Sequence, residues 1–283
     1  MASFTNFATL SYNGGTTNSN IVIGEILEAL TAVKTAVSAN YSAGDRITYA
    51  LSLVNTGTAA ITDYTVTDNL GGYTVGANTV YPLAYNAGTV RYYINGVLQT
   101  APTVTAGPPL TVTGLTVPAG GSAVLIYETT ATPVAPLATG SSITNTATIT
   151  GGGLTNPITA QATVETANSA DLTISKALSP TTVTENGQIT YTFVISNTGN
   201  TEATATGNVV VTDTFAPILR NIAVTYNGTA WTEGTNYTYN AATGVFTTLA
   251  GQITVPAATF TQNTDGTFTV TPGTATLVIT GTV

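Results

Sequence analysis

The chain of 283 residues contains no cysteine and no histidine. Their absence removes disulfides, thiolate nucleophiles, any serine-histidine-aspartate arrangement and most zinc sites, so neither a hydrolase nor a metalloenzyme is expected. Charge is scarce too: 6% of the residues are charged, only five are Lys or Arg, and the net charge is -8. So few cations cannot build the clustered basic surface that nucleic-acid phosphates require. No apolar run is long enough to span a bilayer, which argues against membrane insertion. Met1 to Thr17 is polar and uncharged, without the basic and then apolar pattern of a secretory leader. Neither a glycine-rich phosphate loop nor an Asp-x-Asp-x-Asp-Gly calcium loop occurs, so no cofactor and no metal are expected.

What remains is a strand-forming alphabet. Thr, Val, Ala, Asn and Gly dominate and 43% of the residues are hydrophobic, a composition that predicts an all-β chain of short strands and tight turns. The length allows two domains of ordinary size. Turn signals at Asn55-Thr56-Gly57, Asn95-Gly96, Asn227-Gly228 and Asp265-Gly266 punctuate the apolar runs as in antiparallel β-sandwiches. The two halves are also copies of one another. Ile47-Thr48-Tyr49 and Asn55-Thr56-Gly57 are answered by Ile189-Thr190-Tyr191 and Asn197-Thr198-Gly199, Val66-Thr67-Asp68 by Val211-Thr212-Asp213, and Val124–Ala131 by Thr276–Val283.

The copies differ in phase. After Ala131 the first continues through Ile143-Thr144-Asn145 to about Glu165, whereas the second ends at Val283; a stretch resembling the continuation stands at the start, where Phe4-Thr5-Asn6-Phe7-Ala8-Thr9 echoes Ile143-Thr144-Asn145-Thr146-Ala147-Thr148. The expected organisation is a donor strand segment over residues 1–25, a complete repeat over 26–167, and a truncated repeat over 168–283 completed by another subunit. The segment is expected to hold strands Phe4–Tyr12 and Ile21–Glu25 around a turn at Asn13-Gly14-Gly15. Residues 26–32 are assigned to a linker despite the helix-forming Glu25, Leu27, Glu28, Ala29 and Leu30. Strand addition into an exposed groove, with Phe4, Ala8 and Leu10 setting the register, joins two different surfaces. Such a contact propagates as an open head-to-tail homopolymer unless it closes into a ring.

Lys34 and Lys176 are the only lysines, and the repeat makes them equivalent. They precede Asp68 and Asp213 by 34 and 37 residues. Strand alternation places Lys34 with Leu30, Ala32 and Ala36, Lys176 with Leu172, Ile174 and Leu178, Asp68 with Val66, and Asp213 with Val211. On the Ile143 segment, Asn145 shares a face with Ile143, Ala147 and Ile149 opposite a row of threonines, and Asn6 repeats this with Phe4, Ala8 and Leu10. Taken singly, Lys and Asp on neighbouring strands are often a salt bridge and Asn a turn former. Together they suggest more. Burial favours a neutral lysine and a protonated aspartate; the amine could then attack the Asn carboxamide while Asp68 or Asp213 relays protons, forming a Lys-Asn isopeptide bond and releasing ammonia. Folding supplies the proximity, so the reaction is self-directed and single-turnover. The protein is otherwise not expected to be an enzyme.

Lys34-Thr35-Ala36, Gly44-Asp45, Ile47-Thr48-Tyr49, Asn55-Thr56-Gly57, Val66-Thr67-Asp68 and Asn145-Thr146-Ala147-Thr148, with most of their second-half counterparts, resemble the bacterial conserved surface repeat known as domain-of-unknown-function family 11. The resemblance covers nearly the whole chain. It implies tandem immunoglobulin-like β-sandwich domains on a cell or spore exterior, similar to pilin and adhesin domains that form Lys-Asn isopeptide bonds with an acidic catalyst. Carried over by position, Lys34, Asp68 and Asn145 form the set within the first domain. The second domain departs from the pattern: Lys176 and Asp213 have no downstream Asn, and Asn6 is the remaining copy of the motif.

The expected function is therefore a structural subunit of an extracellular or spore-surface appendage, with any tip ligand unidentified. Two alternatives stand beside it. A monomeric surface spacer would fold its first segment back into its own second domain. An adhesin or carbohydrate-binding module would use aromatics such as Tyr92, Tyr93, Trp231, Tyr237 and Tyr239.

Overall fold

The computed structural model describes residues 2–26 and 29–283. Leu27 and Glu28, on which part of the helix-forming reading of the linker rests, lie outside the described residues. The described chain is all-β, with a single short 3-10 turn at Ala205–Gly207. Among the described residues no helix is long and apolar enough to cross a membrane. Two compact units are present, one from Met1–Pro136 with Ser142–Glu165, the other from Leu137–Ser141 with Thr166–Val283.

The first unit is a sandwich of two six-stranded sheets. In one sheet the Lys34 strand (Leu30–Ala36) lies beside the Tyr49 strand (Arg46–Asn55), which lies beside the Tyr127 strand (Ser122–Ala131). The other sheet places the Asp68 strand (Ile61–Asp68) between Leu110–Val117 and the Asn145 strand (Ser142–Gly151), which pairs in turn with Ile158–Thr166. Period-two alternation builds the core between them. Ile47, Tyr49, Leu51 and Leu53 point inward from one sheet, and Ile143, Asn145, Ala147 and Ile149 from the other, all at most 2% exposed.

The second unit repeats half of this plan closely. Its five-stranded sheet runs in the order Lys176 strand (Leu172–Ser179), Tyr191 strand (Gln188–Asn197), Gly273–Thr282, Arg220–Tyr226 and Thr229–Trp231. Among the described residues the facing sheet has three strands, with the Asp213 strand (Thr212–Thr214) at one edge, followed by Val245–Thr248 and Tyr237–Asn240. Where the Asp68 strand has a neighbour on both sides, the Asp213 strand has one among the described residues. The equivalent turns also match in detail. Asn55 and Asn197 are buried, and each donates from Nδ2 to two backbone carbonyls of normal distance and accepts from the N–H two residues on.

The first segment forms a self-paired, solvent-exposed hairpin. Ala2–Asn6 pairs with Val22–Ile26, and Thr9–Tyr12 with Gly15–Asn18, about a turn at Asn13-Gly14. This corrects the expected strand limits: the strand over 4–12 is interrupted at Phe7 and Ala8, and the returning strand begins at Gly15 rather than Ile21. The cause is a bulge. Two residues, Phe7 and Ala8, face three, Ser19 to Ile21, so the ladder breaks, and Ser19 closes the gap by accepting the Ala8 N–H on Oγ and donating its own N–H to the Ala8 carbonyl. Phe4 lies across its cross-strand partner Gly24, where a Cβ would meet the ring at 2.3 Å.

Candidate functional site

The interior of the first unit contains an ion pair. Lys34 Nζ reaches across the sandwich to Asp68 Oδ2 at 2.5 Å, with the two side chains 0% and 1% exposed. Oδ2 also accepts the Tyr127 hydroxyl, and Oδ1 accepts the Leu70 N–H at 2.9 Å. The carboxylate is thus held by three donors. The ammonium lies 4.8 Å from the Tyr49 ring centroid and 5.9 Å from that of Tyr127, within cation-π range. Tyr49 and Tyr127 are cross-strand partners, which is why their rings flank the same group.

Burial dominates the electrostatics. Desolvation pulls Lys34 down to about 8, against the opposing pull of the Asp68 charge and hydrogen bond. Both tyrosine hydroxyls are pushed upward, first by burial and next by the Asp68 carboxylate, so they remain donors at neutral pH. Removing Asp68 would leave an uncompensated buried cation, a change that typically costs about 3–5 kcal/mol.

Asn145 stands beside this pair with its hydrogen bonds unmade. The register puts Ala147 opposite Asp68, and Asn145, two residues earlier on the same face, is completely buried. Its carboxamide is near enough to the Tyr49 and Tyr127 hydroxyls to oppose their upward shifts. Neither its oxygen nor its nitrogen has a hydrogen-bond partner of normal geometry among the described residues. Each such buried, unpaired group costs about 1–3 kcal/mol. The contrast with Asn55 and Asn197, equally buried and fully paired, shows that the fold can satisfy an interior Asn. At position 145 the carboxamide has no partner of normal geometry among the described residues and adjoins the two tyrosine hydroxyls that surround the ion pair.

The second unit reproduces the pair without the cover. Lys176 Nζ meets Asp213 Oδ2 at 2.5 Å, but the side chains are 40% and 18% exposed. The expectation that Lys176 shares a buried face with Leu172, Ile174 and Leu178 is thus corrected for the isolated chain. Leu172 is only partly buried and Ile174, Lys176 and Leu178 are exposed, because among the described residues no strand lies beyond the Asp213 strand to close that side of the sandwich. Aromatic rings still line the amine, with the centroids of Tyr191, Phe193 and Phe215 at 4.5, 5.4 and 5.6 Å. Asn6, Ala8 and the anchors Phe4 and Leu10 all lie on the exposed hairpin, Phe4 at 54% and Leu10 at 63% exposure.

Sequence reasoning singled out the Lys, Asp and Asn positions but not Tyr49, Tyr127 or Tyr191. A signal existed for two of them, since Ile47-Thr48-Tyr49 recurs as Ile189-Thr190-Tyr191. Tyr127 has none, because Ile279 stands opposite Tyr191 where Tyr127 stands opposite Tyr49. The aromatics of the binding-module alternative belong to strands, not to loops: Tyr92 and Tyr93 in Arg91–Ile94, Trp231 in Thr229–Trp231, and Tyr237 and Tyr239 in Tyr237–Asn240.

No protein-family model matches the chain, and no curated protein matches it. Solved structures do. They include BcpA, the major pilin subunit of Bacillus cereus, at 14% identity over 96% of this chain and 73% of that one, with a TM-score of 0.35. The pilus backbone RrgB from Streptococcus pneumoniae matches at 14% identity over 86% of this chain and 55% of that one, TM-score 0.36. The N-terminal domain of a Streptococcus gordonii adhesin matches at 13% identity over 54% of this chain and 36% of that one, TM-score 0.35. This chain spans just over half the length of the RrgB structure. At such scores no residue role passes from these proteins to this one.

Proposed function

We propose that the protein is a structural subunit of an extracellular or spore-surface filament, assembled head to tail by strand donation and crosslinked by Lys-Asn isopeptide bonds. The observation that carries the reading is a complementary pair of features: an exposed hairpin with the inward sequence of the Asn145 strand, and an Asp213 strand open on the side where the Asn145 strand would lie. Transferring the register of the first unit to the junction sets Ala8 opposite Asp213, Thr9 opposite Thr212 and Leu10 opposite Val211. Asn6 then occupies the place of Asn145, next to Lys176 and Asp213 of the neighbour. Docking covers the apolar face of the hairpin and pairs the open strand edge, both of which favour association.

The chemistry follows from the buried cluster. A proton shared by Lys34 and Asp68 can reside on the carboxylate, leaving a neutral amine to attack the Asn145 carbonyl carbon. The new C–N bond forms, the bond to the carboxamide nitrogen breaks, and that nitrogen departs as ammonia with a proton relayed by Asp68. Asp68 ends as it began. In the junction, docking would exclude water from Lys176 and Asp213 and bring Asn6 to them, so the second bond belongs to the assembled state alone.

Electron microscopy of the full chain and of a variant lacking residues 2–26 tests the assembly. The full chain is expected to form long thin filaments and the shortened one to remain unassembled. Normal polymerisation of the shortened chain would remove strand donation from the reading.

A further inference from the structure

Three of the five buried side-chain polar atoms without a partner among the described residues belong to two neighbouring groups, both atoms of the Asn145 carboxamide and the Tyr49 hydroxyl. A donor without an acceptor lies beside an acceptor without a donor. In a folded interior such pairs normally close into a hydrogen bond. Here the hydroxyl stands close enough to the carboxamide for Asn145 to oppose the upward shift of Tyr49, but no hydrogen bond of normal geometry closes between them, and the same ring faces the Lys34 amine at 4.8 Å.

Resting on the isopeptide reading above, we propose that Tyr49 is a catalytic residue of the intrasubunit reaction, its hydroxyl donating to the oxyanion that develops on Asn145, and that Tyr191 does the same for Asn6 at the junction. When Lys34 Nζ bonds to the Asn145 carbonyl carbon, the carbonyl electron pair moves onto Oδ1 and gives it a negative charge. Tyr49 is a fixed, water-excluded donor for that charge, and such donors act most strongly on charge that exists only at the transition state. When the intermediate collapses, the carbonyl re-forms, ammonia leaves with the relayed proton, and the hydroxyl keeps its own proton throughout. Burial supports that role by holding Tyr49 protonated far into the alkaline range.

The repeat supplies an independent reason to select Tyr49 over Tyr127. Both hydroxyls approach Asn145, but that of Tyr127 is already engaged with Asp68. Its counterpart is Ile279, whereas Tyr49 has a counterpart in Tyr191, whose ring lies 4.5 Å from Lys176 Nζ. A function common to both bonds can reside only in the tyrosine that both units have. Tyr127, as a donor to the acid, is a property of the first unit.

The test uses full-length chains made in a cell-free reaction and quenched in denaturant at successive times. Intact mass reads the intrasubunit bond as loss of one ammonia, and denaturing electrophoresis reads the junction bond as a ladder of multimers. Removing one oxyanion donor typically slows such reactions about 10²–10³-fold. Tyr49→Phe, which keeps the ring, is expected to slow the ammonia loss by about that factor and leave the ladder unchanged, while Tyr191→Phe slows the ladder and leaves the intrasubunit bond unchanged. A folded Tyr49→Phe chain that reacts at the wild-type rate overturns the proposal while leaving the isopeptide reading intact. If Tyr49→Phe fails to fold, an unslowed ladder in Tyr191→Phe overturns it equally. Wild-type chains that never lose ammonia remove both readings together.

Discussion

Replacing Phe4 and Leu10 by Asp should abolish assembly. In the free hairpin these side chains are 54% and 63% exposed, whereas Ile143 and Ile149, whose places they would take, are 2% and 0% exposed in the first unit. Docking therefore withdraws roughly half to two-thirds of each side chain from water. Full burial of such a residue is worth about 1.5–3 kcal/mol, so the two anchors together contribute roughly 2–4 kcal/mol. The substitutions also bring two carboxylates to an apolar groove, where each must be desolvated or protonated at a further cost of several kcal/mol. A loss of at least about 5 kcal/mol corresponds to more than three orders of magnitude in junction affinity. The assay is light scattering and electron microscopy over rising subunit concentration. Thr5→Asp with Thr9→Asp adds the same charge to the opposite face of the hairpin and should still allow filaments. Assembly of the Phe4 and Leu10 variant at wild-type concentration would refute the register, and equal loss in the threonine control would refute the assignment of faces.

The other expectations concern the bonds. Dissociated wild-type chains should be lighter by one ammonia, with a branched Lys34–Asn145 peptide in the digest; Asp68→Asn should keep the sandwich and lose the bond, and linear peptides at both sites in the wild type would leave only a buried polar cluster. Asn6→Ala and Lys176→Ala should each still form filaments, since Phe4 and Leu10 remain, but these should fall to monomers in boiling detergent where wild type gives a ladder; wild-type filaments that denature wholly to monomers would rule out the junction bond alone. The intrasubunit reaction should also respond to pH with a definite sign. Burial lowers Lys34 from 10.5 to about 8, so the proton it shares with Asp68 is retained at neutral pH and lost above about 8. A relay through Asp68 needs that proton for the departing ammonia, and the rate should fall roughly tenfold per pH unit beyond that point. A rate that instead rises to a plateau would indicate a simple amine nucleophile and exclude the relay.

Composition and alternation alone were sufficient for the all-β class, the repeated turns at Asn55 and Asn197, and the faces on which Lys34, Asp68 and Asn145 lie. These properties are local, because side-chain direction in a strand follows from the two-residue period whatever the strand is paired with. The internal duplication likewise makes Asn6 comparable with Asn145 from sequence alone. Depth and partnership are not local. Alternation assigns Lys176 to the same face as Leu172 and Leu178, yet whether that face is dry depends on which strands close the opposite sheet, and the Asp213 strand has no neighbour there among the described residues. The bulge at Ser19 depends on a count across a hairpin, not on propensity. Tyr49 and Tyr127 could not be distinguished by pattern from the other inward-facing residues of their strands. Only the crossing of two sheets engages one hydroxyl with Asp68 and leaves the other beside an unpaired carboxamide, because the distance between groups 59 or more residues apart in sequence is set by the packing of the sandwich and by nothing in either strand.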